Sequence, residues 1–143
     1  MKVYVTTEES CYDSYLSSEP YGDWYEHWDC RVNEVYIQKE AGHYYADSFE
    51  LGDVDLKSGS PVFVLVMHYD TGDSFGRATG KMEVLWVFDN YQDASDARKA
   101  VEANQEEFSV KFETARGEIK MSNPGAGYFE SVNNIDIVDR ILR

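Results

Sequence analysis

Residues 61–88 read Pro61-Val62-Phe63-Val64-Leu65-Val66-Met67-His68-Tyr69, then Asp70-Thr71-Gly72-Asp73-Ser74-Phe75-Gly76-Arg77-Ala78-Thr79-Gly80-Lys81, then Met82-Glu83-Val84-Leu85-Trp86-Val87-Phe88. Two apolar runs flank a polar link. The runs are rich in β-branched and aromatic residues and show no clean alternation, so they predict strands covered on both faces. Asp70–Gly80 holds three glycines and two aspartates, which predicts a hairpin loop longer than the two-residue minimum.

Downstream, Asn90 reads as an N-cap with Asp93 at the third helical position. The helix is expected to run to about Glu107, with Tyr91, Ala94, Ala97 and Val101 on its inner face. Phe108–Thr114 and Glu118–Ser122 form a second hairpin around Arg116-Gly117. Asn123–Gly127 is a turn, Tyr128–Val132 a short strand, and Ile135–Leu142 a terminal strand or short helix. Upstream, Lys2–Thr7 and Val32–Lys39 alternate as strands, and Tyr44–Leu51 reads as another. Glu8–Arg31 lacks periodicity and is expected to be a long functional loop, with a short helix around Asp23–Trp28. The result is one α+β domain over residues 1–143. It is a mostly antiparallel twisted sheet of about six strands, with one main helix packed on one face.

The 143 residues carry a net charge of −14, and the excess is uneven. Residues 1–60 hold 13 acids and 4 bases, residues 61–107 hold 9 and 4, and residues 108–143 hold 5 of each. A one-signed field of this kind repels nucleic acid phosphates and anionic membranes and attracts a basic partner. No apolar run approaches the roughly 20 residues needed to span a bilayer. Met1-Lys2-Val3-Tyr4 leads straight into strand-like sequence rather than a signal peptide. With Cys11 and Cys30 as the two cysteines, the expectation is a cytoplasmic protein with reduced thiols.

Motifs for chemistry are weak. Cys11, His27, Cys30 and His43 lack the tight paired spacing of a zinc site. Asp70–Gly80 lacks the alternating ligands and terminal Glu of a calcium loop. Gly72-Asp73-Ser74-Phe75-Gly76 spells G-x-S-x-G, but a strand follows where a nucleophile elbow needs a helix. His68 reads as a satisfied core or edge histidine. Paired carboxylates are too abundant to specify an acid and a base, and the glycine-rich turn joins strands rather than opening a helix for a phosphate. No enzyme activity, cofactor or metal is expected.

The N-terminal segment interleaves rings with carboxylates: Tyr12-Asp13, Tyr21-Gly22-Asp23-Trp24-Tyr25-Glu26 and Trp28-Asp29. Aromatic side chains anchor interfaces at modest entropic cost, and carboxylates steer and pair with a partner's arginines. The same spacing also suits rings entering a core with acids facing water.

The stretch HYDTGDSFGRATGKMEVLWVFDNYQDASDARKAV, residues 68–101, resembles a pattern found in small uncharacterised accessory proteins of tailed bacteriophages. It joins a strand, a Gly-Asp-Ser-Phe-Gly turn, a strand ending in an aromatic residue, and an alanine-rich helix. The resemblance implies an accessory product of the host cell cytoplasm, of a kind that binds and inhibits host enzymes or immune systems. Some acidic members of that group imitate DNA. The leading expectation is therefore an inhibitor that occupies the nucleic-acid-binding cleft of a basic host protein. Asp13, Glu19, Asp23, Glu26, Asp29, Asp47, Glu50, Asp53 and Asp55 would stand in for phosphates, and Tyr21, Trp24, Tyr25 and Trp28 would anchor the contact. The alternative is a small-molecule binder that sequesters a nucleotide signal. Its pocket would use Phe75, Arg77, Arg116 and Lys120, assembled at the subunit boundary of a homo-oligomer.

Overall fold

The computed structural model describes residues 1–13, 26–42, 47–73, 76–128 and 130–143, with side chains at all of these except 9–13, 26–29 and 31–33. Among them are eight strands and one α-helix. In chain order these are β1 (Lys2–Asp13), β2 (Glu26–Gln38), β3 (Asp47–Glu50), β4 (Pro61–Gly72), β5 (Gly76–Phe88), α1 (Tyr91–Ala103), β6 (Ser109–Thr114), β7 (Gly117–Ser122) and β8 (Ser131–Ile141).

The two apolar runs become β4 and β5, paired antiparallel, and β8 pairs antiparallel with the other edge of β4. This β5-β4-β8 sheet is the middle layer of the molecule. Val62, Val64 and Val66 of β4 and Val84 and Val87 of β5 pack with Val3 and Val5 of β1, Val35 and Ile37 of β2, and Phe49 of β3. Leu65 and Met67 of β4, Leu85 and Phe88 of β5, and Ile135 of β8 pack with Ala94, Ala97 and Val101 of α1 and with Val110 and Met121 of the β6–β7 hairpin. Both faces of β4 are thus covered, as the unalternating sequence requires.

Six strands follow one another in hydrogen-bonded order, β3-β1-β2-β5-β4-β8, but not as a single antiparallel sheet. The strands form two three-stranded antiparallel sheets, β3-β1-β2 and β5-β4-β8, plus the β6–β7 hairpin. The two sheets are joined by one short parallel pairing, Glu26–Asp29 of β2 with Gly76–Thr79 of β5. At its other end β2 meets the opposite edge of the middle sheet. There the Arg143 N–H donates to the Ile37 carbonyl (2.9 Å) and the Lys39 N–H donates to the Arg143 carbonyl (3.2 Å). Strand β2 therefore crosses the middle sheet diagonally, as in sandwiches whose strands switch sheets at a corner.

The N-terminal expectations change most. The Glu8–Arg31 segment is not simply a loop: β1 runs on to Asp13 and β2 begins at Glu26, so Glu26–Trp28 is extended rather than helical. Residues 14–25 lie outside the described residues. The thiols are not reduced. Cys30 is disulfide-bonded, and Cys11, the chain's other cysteine, is its directly opposed register partner. Directly opposed antiparallel residues sit about 4.5–5.5 Å apart, within the span of a disulfide. The bond withdraws the cysteine-based argument for a reducing cytoplasm.

Elsewhere the correspondence is closer. The Asn90 side chain accepts from the Asp93 N–H (2.8 Å) as the helix cap. Ala94, Ala97 and Val101 are fully buried, whereas Tyr91 is 55% exposed and meets Phe63 edge-on. The helix is shorter than expected, ending at Ala103, where the Asn104 side chain donates to the Ala100 carbonyl (2.7 Å). Buried Asn123 donates to the carbonyls of Asn104 (3.3 Å) and Glu107 (3.0 Å) just beyond it. Tyr128 lies outside any strand, and β8 is one continuous strand. The polar link is also tighter than expected, because β4 extends to Gly72 and β5 starts at Gly76.

Gly80 stands where the two sheets part. Its φ is +72°, and a Cβ there would strike the Cys30 carbonyl oxygen. Its N–H donates to Asp70 Oδ1 (3.1 Å), which also accepts from the Asn133 amide (2.9 Å). Gly80→Ala is therefore expected to lower stability by about 2 kcal/mol or more, from backbone strain plus the clash. Urea denaturation of the two proteins checks this.

Candidate protein-binding surface

Short β3 places two of the expected partner-binding acids. Its Phe49 points inward and meets Trp86 of β5 edge-on at 5.0 Å between ring centroids, while Asp47 and Glu50 are exposed at its two ends. Asp47 borders a groove of about 330 Å³ between β1 and β5, lined by Val5, Thr6, Thr7, Met82, Glu83 and Val84. Glu83 is half-buried. Burial pushes its carboxyl above the ordinary range, the charge of Asp47 pushes it further, and Lys81 opposes both. Two carboxylates thus face one groove, and the charge of Asp47 raises the cost of ionising Glu83. Neither makes an ion pair among the described residues.

The other expected acids differ in how free they are. Glu50 accepts from the N-terminal amine (2.8 Å) and the Gly52 N–H (3.0 Å), and these hydrogen bonds hold its carboxyl below the ordinary range. Asp55 accepts from Lys57 (2.8 Å), a surface pair that contributes little to stability. Asp53 is exposed on the same connection. Asp13, Glu26, Trp28 and Asp29 are placed by backbone alone, at the far end of the β1–β2 hairpin. Glu19, Tyr21, Asp23, Trp24 and Tyr25 lie outside the described residues.

The outer face of β1–β2 is not uniformly negative. The Tyr36 hydroxyl donates to Glu8 (3.2 Å), and the Arg143 guanidinium lies 4.0 Å from the Tyr36 ring centroid. Arg140 pairs with Glu34 and donates to the Val35 carbonyl, both at 3.2 Å. Basic residues from the neutral C-terminal third thereby meet an acid and a ring of the N-terminal half. Asp47 and Glu83 share the groove between β1 and β5, whereas exposed Asp53 stands beside the Arg116 guanidinium.

The alternative anion pocket does not assemble as a set. Arg116 and Lys120 do line one cavity of about 270 Å³, together with Trp86, Glu50 and Glu118. Arg77 is at the opposite end of β5, with its guanidinium 4.0 Å from Asp70, and Phe75 lies outside the described residues. The Arg116 guanidinium is already engaged. Its Nε (3.0 Å) and Nη2 (2.6 Å) donate to Asp89 Oδ2, and its Nη1 donates to the Asp53 carbonyl (3.2 Å). Burial pushes the Asp89 carboxyl up, but the hydrogen bond and charge of Arg116, helped by the Asn90 amide, outweigh it and hold the group below the ordinary range.

His68 sits half-exposed on β4, 3.6 Å from Asp136, with Asn134 also bonded to that carboxylate. Ser74 lies outside the described residues. No group of three or more His, Cys, Asp or Glu among the described residues could hold a metal ion. No helix among them is long and apolar enough to cross a membrane. Sequence reasoning missed Glu83 because it lies inside an apolar run; a lone acid there was itself the available signal.

Two pH-dependent outcomes follow from the acids. Glu83 has a raised folded pKa, so its ionisation opposes folding above that value, and the penalty vanishes below its unfolded value of about 4.3. Glu83→Gln should therefore melt higher than wild type at pH 7 and converge with it below about pH 4. Asp89 has a depressed folded pKa, so its contribution is present above its unfolded value of about 3.9 and is lost as pH falls through the folded one. Asp89→Asn should cost about 1 kcal/mol at pH 7, with the gap closing progressively in acid. Thermal melts from pH 2 to pH 8 check both.

No protein-family model matches the chain, and neither does any curated protein or solved structure.

Proposed function

We propose that the chain is a binding protein, without chemistry of its own, that blocks a basic protein partner through the acidic side of its β3-β1-β2 sheet. The carrying observation is the groove where Asp47 and half-buried Glu83 face each other with no ion pair among the described residues. A partner's lysine or arginine placed there would pair with both carboxylates and relieve the cost of ionising Glu83. In the sequence, residues 12–29 are rich in acids and rings. That span holds five acids and six aromatic residues with no Lys or Arg.

The mechanism is occupancy: carboxylates take the positions a nucleic acid's phosphates would fill on the partner, and rings supply the desolvated anchors. The resemblance of residues 68–101 to phage accessory proteins suits an inhibitor of a host protein. The small-anion reading has less support, because Arg116 is committed to Asp89 and its cavity is also lined by Glu50 and Glu118.

Fluorescence titration with a labelled nona-arginine peptide tests the reading, with nona-glutamate as control. Affinity for the cationic peptide should fall tenfold or more between about 50 mM and about 300 mM salt, because exposed charges are screened. It should fall several-fold in a Glu83→Gln/Asp47→Asn variant. Salt-independent binding, or an unchanged affinity in that variant, would overturn it.

A further inference from the structure

The β1–β2 hairpin is divided in two by its own register. Glu8 faces Glu34 while Glu9 faces Val32, so Asn33 is an extra residue and the ladder shifts between Glu8 and Glu9. Such bulges bend a strand and interrupt its pairing. On the near side, Val3, Val5, Val35 and Ile37 are set in the core. On the far side, Glu9–Asp13 pairs with Trp28–Val32, and this distal arm reaches the middle sheet through the four-residue join to Gly76–Thr79. None of those four β5 residues belongs to either buried cluster of described residues. Among the described residues, the join is seen as strand pairing.

The disulfide stands at this join. The parallel pairing ends at Asp29 opposite Thr79, and the next residues are Cys30 and Gly80, whose backbones are in close approach. Cys30 is 5% exposed. A bond from Cys30 to Cys11 ties both strands of the arm together at the point where the arm touches β5.

We propose that the Cys11–Cys30 disulfide is a redox-controlled clasp: once it is opened, the distal arm hinges at the Glu8/Asn33 bulge and leaves the β5 edge, while the three-layer body stays folded. The opening is a thiol–disulfide exchange with a dithiol reductant. One thiolate of the reductant attacks a sulfur of the bond and leaves a mixed disulfide and one free cysteine thiolate. The second thiol of the reductant resolves the mixed species. Two electrons pass to the cysteine pair, two protons complete its thiols, and the reductant departs as its own disulfide. Because Cys30 is buried, exchange proceeds through transient opening of the arm, the same motion that the bond restrains. This device is independent of the partner's identity.

Hydrogen exchange read by mass spectrometry tests it on three samples: oxidised wild type, wild type reduced with dithiothreitol and alkylated, and a Cys11→Ser/Cys30→Ser variant that needs no reductant. A closed loop of this length restrains the open state strongly, so amides of Glu26–Asp29 and Gly76–Thr79 should exchange roughly tenfold or more faster in the second and third samples. Amides of β4 and α1 should stay within about twofold of the first sample. Unchanged protection at Gly76–Thr79 would overturn the proposal. Loss of protection throughout β4 and α1 would also overturn it, by making the bond a support of the whole fold. So would two free thiols in folded, unreduced wild type by alkylation mass shift.

Discussion

The whole architecture depends on β4 being hydrophobic on both faces. A strand with Val62, Val64 and Val66 on one side and Leu65 and Met67 on the other cannot face water on either side. Each of these five side chains is buried almost completely. Covering one face requires the β3-β1-β2 sheet, and covering the other requires α1 and the β6–β7 hairpin. The three layers are thus a consequence of one strand's composition. Alanines 94 and 97 let the helix backbone lie close against the middle sheet, a contact that larger residues would hold apart.

The geometry of the covering sheet then sets where charge can collect. Because β2 crosses diagonally, it touches the β5 edge at one end and the chain beyond β8 at the other, leaving an opening on each side of the crossing. The opening beside β8 is filled with compensating charge: Arg140 and Arg143 meet Glu34 and Tyr36. The opening beside β5 holds Asp47 and Glu83, which make no ion pair among the described residues, with Lys81 offsetting only part of their charge. The imbalance comes from topology, since both basic residues lie at the C-terminal end of the chain and are delivered by β8.

Much of the middle layer was legible in the sequence. Unalternating apolar runs, a capping asparagine with its acid three residues on, and small residues at helical spacing are local signals, and β4, β5 and α1 follow them. The N-terminal half was less legible for a physical reason. Beyond Thr7, β1 continues through Glu8, Glu9, Ser10, Cys11 and Tyr12, which carry no apolar alternation, so its extension depends on pairing with β2 rather than on its own pattern. The disulfide was hidden with it, because opposing Cys11 to Cys30 requires the register of two strands and a bulge that residue spacing does not reveal. The division into two sheets was equally non-local, since it turns on a four-residue parallel join. Among site residues, exposed Asp47, Asp53 and Asp55 were readable as acids. The coupling of Asp47 to Glu83 was not, because it spans a groove between separate sheets.

Arg116 is a crossroads of distant chain. Its guanidinium reaches Asp89 at the end of β5 and the carbonyl of Asp53, Gly52 leaves room for its side chain, and the neighbouring Ala115 N–H donates to Asp93 in the first turn of α1. Three segments thus answer to one hairpin turn. As the sequence drifts, positions 52, 89, 93 and 116 are not free to vary singly: a change at one alters which residues the others tolerate. In a collection of diverged copies, these four columns would carry a shared pattern of co-substitution, even though 52 and 116 lie far apart along the chain.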